Sequence, residues 1–227
     1  MDDRPLHQAT AVEAEPVKVK PRDRGVFHEA GFYVSLALAV PLVATAEPGR
    51  ARVSAAVFAA CVAGCFGASA LYHRPTWRPR PRAWLARLDH AGVYLLIAGS
   101  YTPVCLLVLS PGWRNVVLAI VWGGAFAAIV LKFVWVGSPK WLSAVIGLML
   151  GWVAAAAVLQ LLKIGIPGVV LIGVGGAFYT LGAVIYARGR PNPLPNVLGY
   201  HELFHLATVA AVACHYCAIA FYVLPRG

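Results

Sequence analysis

The stretch His201–Leu224, HELFHLATVAAVACHYCAIAFYVL, decides the fold. After Glu202 it holds no Asp, Glu, Lys or Arg, and as a helix of about 20 residues it spans the roughly 30 Å hydrocarbon layer of a bilayer. Two histidines, His201 and His205, stand at its mouth. Four-residue spacing puts both imidazoles on one helix face, stacked one turn apart. Ionisable side chains are expensive in a bilayer, so a pair of them at the end of a span points to function.

The rest of the chain repeats this pattern. Of 227 residues, 60% are hydrophobic and only 12% charged, and the mean hydropathy is +0.72. A soluble domain carries about 25% charged residues. Apolar windows bounded by charge, Gly or Pro fall at roughly 30–46, 53–73, 89–109, 115–136, 141–162, 166–187 and 201–224. These windows predict an all-α, integral membrane seven-helix transmembrane bundle over residues 29–227, with six spans as the rival count. The first window is the shortest and carries Pro41. Lys132 interrupts the fourth, on a stem long enough to snorkel to the interface. Residues 1–28 are polar and read as a disordered basic cytoplasmic tail without a removable signal peptide.

The distribution of Lys and Arg sets the orientation. With the N-terminus cytoplasmic, the inside holds Arg4, Lys18, Lys20, Arg22, Arg24, Arg74, Arg78, Arg80, Arg82, Arg87, Lys132, Lys140, Arg188 and Arg190. Only Arg50, Arg52, Arg114, Lys163 and Arg226 lie opposite. The positive-inside rule therefore predicts a cytoplasmic N-terminus and an external C-terminus. The net charge of +10 is spread over short connections and forms no basic face. That pattern excludes nucleic acid as a partner and points to anionic membrane lipids. The connection 74–88 holds five Arg with Trp77 and Trp84, and Pro75, Pro79 and Pro81 predict a loop through most of it. Five cysteines, Cys61, Cys65, Cys105, Cys214 and Cys217, all lie in apolar runs and read as small packing residues.

This topology places five chemically capable groups at one depth. Ser69 and His73 close a span arriving at the inside, Asp89 opens one leaving it, and His201 and His205 open another. Three imidazoles with an open fourth position taken by water is the arrangement of a catalytic zinc, which brings the water's pKa toward ~7. Asp89 is placed to accept a proton from such a water. Ser69, one turn from His73, is placed to orient it or to meet a developing oxyanion. His201-Glu202-Leu203-Phe204-His205 also matches H-E-x-x-H, the zinc signature of metalloproteases with the Glu as base. That keeps an intramembrane protease in view.

Four motifs occur in order: Ser69-Ala70-Leu71-Tyr72-His73, Asp89-His90-Ala91-Gly92-Val93-Tyr94, Ile97-Ala98-Gly99-Ser100-Tyr101-Thr102-Pro103 and Gly199-Tyr200-His201-Glu202-Leu203-Phe204-His205. Together they resemble the hemolysin III family over about residues 25–224. That family is the bacterial branch of the progestin and adipoQ receptor superfamily, related to alkaline ceramidases. The resemblance implies a seven-helix bundle with an intracellular-side zinc in a bacterial plasma membrane. It implies His73, His201 and His205 as zinc ligands, with Asp89 and Ser69 holding the water. Gly25-Val26-Phe27-His28-Glu29 departs from the family's first-helix pattern, keeping the His but lacking its Asn and Thr. His90 and His215 also match family positions and read as hydrogen-bonded structural residues. The expected chemistry is metal-assisted hydrolysis of a lipid amide or ester. A pore-forming cytolysin and a regulator of membrane lipid composition are the non-enzymatic alternatives.

Overall fold

The structure, a computed structural model, describes residues 21–194 and 196–227. Residues 1–20 of the expected tail lie outside the described residues. The end of that segment is structured, in contrast to the disordered tail expected through residue 28. Asp23 and Arg24 lie in a turn closed by bonds from Arg24 N to Pro21 O (3.1 Å) and from Val26 N to Asp23 O (3.1 Å). Helix α1, Val26–Thr45, then begins early enough to bury His28.

Helices α2 (Arg50–His73), α3 (Pro79–Leu107) and α4 (Pro111–Val134) follow. The loop expected over 74–88 is in fact helical from Pro79 onward. Pro79 and Pro81 fall in the first turn of α3, where backbone N–H groups have no intrahelical acceptor, so their missing donors cost nothing. Lys132 does not snorkel outward either. It is 2% exposed and turns inward, its ammonium donating to Ser138 Oγ in the connection after α4.

Among the described residues six stretches are long and apolar enough to cross a membrane, against seven expected windows. The difference lies in Lys140–Arg188, whose 49 residues count as one stretch. A straight helix of that length would reach about 74 Å, more than twice the hydrocarbon layer. The chain instead turns back on itself. Helix α5 (Lys140–Gly151) passes through 3₁₀ turns flanking the short α6 (Val158–Leu161), and α7 (Gly165–Arg188) starts at Gly165 with φ of 77°. Trp152 Nε1 donates to Thr180 Oγ1 at 3.1 Å across 28 residues, a separation of about 42 Å in a continuous helix. Helix α8, Tyr200–Ala218, completes the set and runs on through a π and a 3₁₀ turn to Arg226.

Neighbours in sequence are neighbours in space. Each of α1 to α4 packs on the next, α4 on α5, α5 on α7, α7 on α8, and α8 returns to α1. The ring encloses a cavity of about 400 Å³. Small residues allow the closest approaches: a Cβ on Gly92 of α3 would meet the Cα of Cys65 in α2 at 3.0 Å, and one on Gly182 of α7 would meet Ala207 of α8 at 3.2 Å. The exterior is apolar. Tyr33, Val40, Phe126, Met149 and Phe221 are well exposed and Leu159 is 80% exposed. An apolar surface on all sides suits lipid and not water. Together with the helix lengths it makes this a multi-pass integral membrane protein.

Candidate metal centre

Helix termini build the site. His73 is the last residue of α2 and Ser69 lies one turn before it. Asp89 lies in α3, close to the end where Arg87 reaches Phe133 O of α4 at 3.0 Å. His201 and His205 fill the first turns of α8. His73 and His205 are buried, and one ligand atom from each of His73, His201 and His205 falls within a 4.8 Å group. Ring centroids stand 4.7 Å apart for His73–His201, 4.5 Å for His201–His205 and 5.2 Å for His73–His205. His73 Nε2 faces His201 Nε2 at 3.1 Å and Asp89 Oδ2 at 3.4 Å. Among the described residues this is the cluster that could hold a metal ion.

The donor set fits zinc. Two nitrogens bound at about 2.0–2.1 Å to one tetrahedral ion stand roughly 3.3 Å apart, close to the His73–His201 spacing. His205 Nδ1 is buried without a hydrogen-bond partner, so this ring still has a nitrogen to offer or to satisfy. The Asp89 carboxylate stands at the edge of this group, against His73. Ser69 belongs to the same corner. Ser54, Ser100, Thr102 and Thr208 each donate to a carbonyl of their own helix, the usual habit of hydroxyls in membrane helices. Ser69 Oγ has no such bond and stands beside the Asp89 carboxylate instead.

Glu202 is turned to a different task. It is fully buried; Oε1 pairs with Arg24 Nε at 2.7 Å and Oε2 accepts from Gly199 N at 2.9 Å, capping α8. Both oxygens are engaged away from the imidazoles, so the H-E-x-x-H spacing does not bring a protease-type base to the centre. The same clasp continues in the backbone, where Arg22 N reaches Asn196 O at 2.9 Å and Asp23 N reaches Val197 O at 3.2 Å. These contacts strap the segment before α1 to the α7–α8 connection beneath the site.

His28 is the residue sequence reasoning undervalued. Its ring stacks on His205 at 3.8 Å with planes 12° apart, and neither of its nitrogens finds a side-chain hydrogen-bond partner. Only its place in the departing Gly25–Glu29 motif marked it in the sequence. His90 and His215 point elsewhere: His90 Nδ1 bonds Ala86 O within its own helix, and His215 Nε2 lies 3.3 Å from Ile172 O. Cys214 and Cys217 are free thiols outside the histidine cluster.

The cavity opens from this centre into the bundle. Ser69, Asp89, His201 and His205 line it, and beyond them Val93, Ile97, Val104, Leu161, Val169 and Ile219 make it largely apolar, with Ser100, Thr180 and Thr208 between. A helical membrane bundle with three imidazoles at one end of an apolar internal cavity is the class of protein described so far. Residues 17–216 match the family described as haemolysin-III related, and the chain belongs to that family. It is 29% identical over 150 residues to Hemolysin-3 of Bacillus cereus, a match covering 65% of each chain. It is 28% identical over 201 residues to a Hemolysin-3 homolog of Bacillus subtilis (strain 168), covering 87% of this chain and 91% of that one.

Proposed function

We propose that this protein is a zinc-dependent hydrolase acting on a lipid amide or ester drawn from the membrane. The observation that carries the reading is the meeting of His73, His201 and His205 beside Asp89 and Ser69, four of these five residues lining a largely apolar cavity. His73, His201 and His205 are the metal ligands. Bound there, zinc supplies Lewis-acid chemistry, acidifying water at neutral pH and polarising a carbonyl. Asp89 orients the attacking water and takes its proton. Ser69 donates its hydroxyl to the oxygen that gains charge as the carbonyl is attacked. His28 holds the His205 ring by stacking, and the Arg24–Glu202 clasp keeps bulk water from that side of the centre. The apolar length of the cavity takes the acyl chain.

The reading includes a topology. The reversal inside Lys140–Arg188 supports seven crossings, and the Lys/Arg bias supports a cytoplasmic N-terminus, a cytoplasmic-side site and an external C-terminus in a bacterial plasma membrane. Membrane lipids are the partners. The name hemolysin carried by the two Bacillus relatives supports a second reading, a cytolysin. Against a pore stands a cavity wall that is largely aliphatic, broken by single polar groups such as Ser100, Thr180 and Thr208 and not by a continuous polar path.

The test is metal analysis of the purified protein beside turnover of a total lipid extract. One zinc per chain is expected. Asp89→Asn should retain the metal and abolish turnover. Ser69→Ala should retain the metal and lose about 10²–10³ in rate, the usual effect of removing one donor at a developing oxyanion. A metal-free protein, or undiminished turnover in Asp89→Asn, would overturn the reading.

A further inference from the structure

A membrane bundle tolerates a buried charge only where something answers it. Among the described residues lining the cavity, Asp89 is the one carboxylate and Lys132 the one Lys or Arg. Asp89 is answered by His73. Lys132 has no carboxylate within ion-pair distance among the described residues, although it is 2% exposed. Its ammonium has three donors, and one goes to Ser138 Oγ. The favourable end of the α4 dipole is worth a fraction of what burying an ammonium costs, so the dipole does not account for the placement.

The position of Lys132 gives its charge a use. Arg87 Nε bonds Phe133 O at 3.0 Å, which ties the end of α4 to the part of α3 that carries Asp89. Lys140 Nζ donates to Tyr200 Oη, tying the start of α5 to the residue before His201. Lys132 and the histidine centre therefore share one end of the cavity, on walls built by different helices. Tyr94 and Ser143, whose hydroxyls face each other between α3 and α5, line the same cavity. The rest of the wall is largely aliphatic, interrupted by uncharged polar groups such as Ser100, Thr180 and Thr208.

We propose that Lys132 forms an anion subsite, so that the lipid entering the cavity carries a carboxylate or phosphate on its head. The oxyanion completes the hydrogen bonding of the ammonium, and the chain lies along the apolar wall. Lys suits this as a compact point charge for either group. That such a lipid is also the substrate rests on the hydrolase reading above; its binding does not.

The experiment titrates purified protein in zwitterionic nanodiscs with hexadecylphosphonate, palmitate and hexadecanol, none of which has a bond to hydrolyse. Wild type should bind both anions about ten- to a hundredfold more tightly than the alcohol, the usual range for a charge-assisted hydrogen bond. Lys132→Met should erase the preference, Lys132→Arg should restore part of it, and all three should hold the same zinc. Inorganic phosphate in large excess should fail to displace hexadecylphosphonate. Effective displacement would reassign the site to a free oxyanion and overturn the lipid proposal. Equal affinity of wild type for anions and alcohol overturns the subsite without recourse to any variant, as does a preference that survives Lys132→Met. Lipid turnover without charge preference would sink the subsite alone. Charge preference without turnover would sink only the hydrolase reading.

Discussion

Glu202 shows how one side chain's direction changes the meaning of a motif. Its neighbours His201 and His205 face His73, one turn apart on α8. Glu202 is displaced by about 100° around the helix from His201 and points toward Arg24. Removing its charge leaves the Arg24 guanidinium, largely enclosed, without a counter-ion. Breaking such a pair from one side costs about 3 kcal/mol. Glu202→Gln should therefore lower the unfolding temperature clearly while zinc content stays at the wild-type value and turnover falls little. A thermally unaltered Glu202→Gln that has lost all turnover would restore the protease-type role.

At the scale of elements, the site depends on how closely α2 and α3 approach. Gly92 lies one turn beyond Asp89, and Cys65 one turn before Ser69. Contact between them sets the distance from the carboxylate to His73. A Cβ at Gly92 would meet the Cys65 Cα at 3.0 Å, and backbone cannot step aside as a flexible side chain can. Gly92→Ala should push the helices apart, destabilise by about 1–3 kcal/mol and weaken zinc affinity. Gly123 on α4 has nothing within 4 Å of its Cβ position, so Gly123→Ala is the matched control. Thermal melts and zinc titration of the two variants check this. Equal behaviour of the pair would show that the approach of α2 to α3 does not position the site.

For the whole molecule, the number of crossings and the side of each terminus are one question, because an odd count puts the termini on opposite faces. The doubling back within Lys140–Arg188 is what separates seven from six. A reporter that matures only in the cytoplasm should be active when fused ahead of Met1 and silent after Gly227, and a periplasmic reporter should give the reverse. Activity of one reporter at both ends would make the count even and overturn the proposed cytoplasmic placement of the site.

Apolar runs, proline and glycine punctuation, and i,i+4 spacings were legible in the sequence, since each depends on residues within a turn or a span of one another. So were His73, His201, His205, Asp89 and Ser69 as groups at span ends, because end position follows from hydropathy alone. Where local signals misled, the reason was also local. Pro79 and Pro81 read as loop without knowing that a helix's first turn accepts them, and Lys132 read as a snorkelling residue without knowing that it turns inward. Only the tertiary structure decided which way side chains face around their axes. That direction sends Glu202 to Arg24, stacks His28 on His205 and turns Lys132 into the cavity. The rotation of a helix is set by the packing of its small residues against particular neighbours, and those neighbours come from distant parts of the chain.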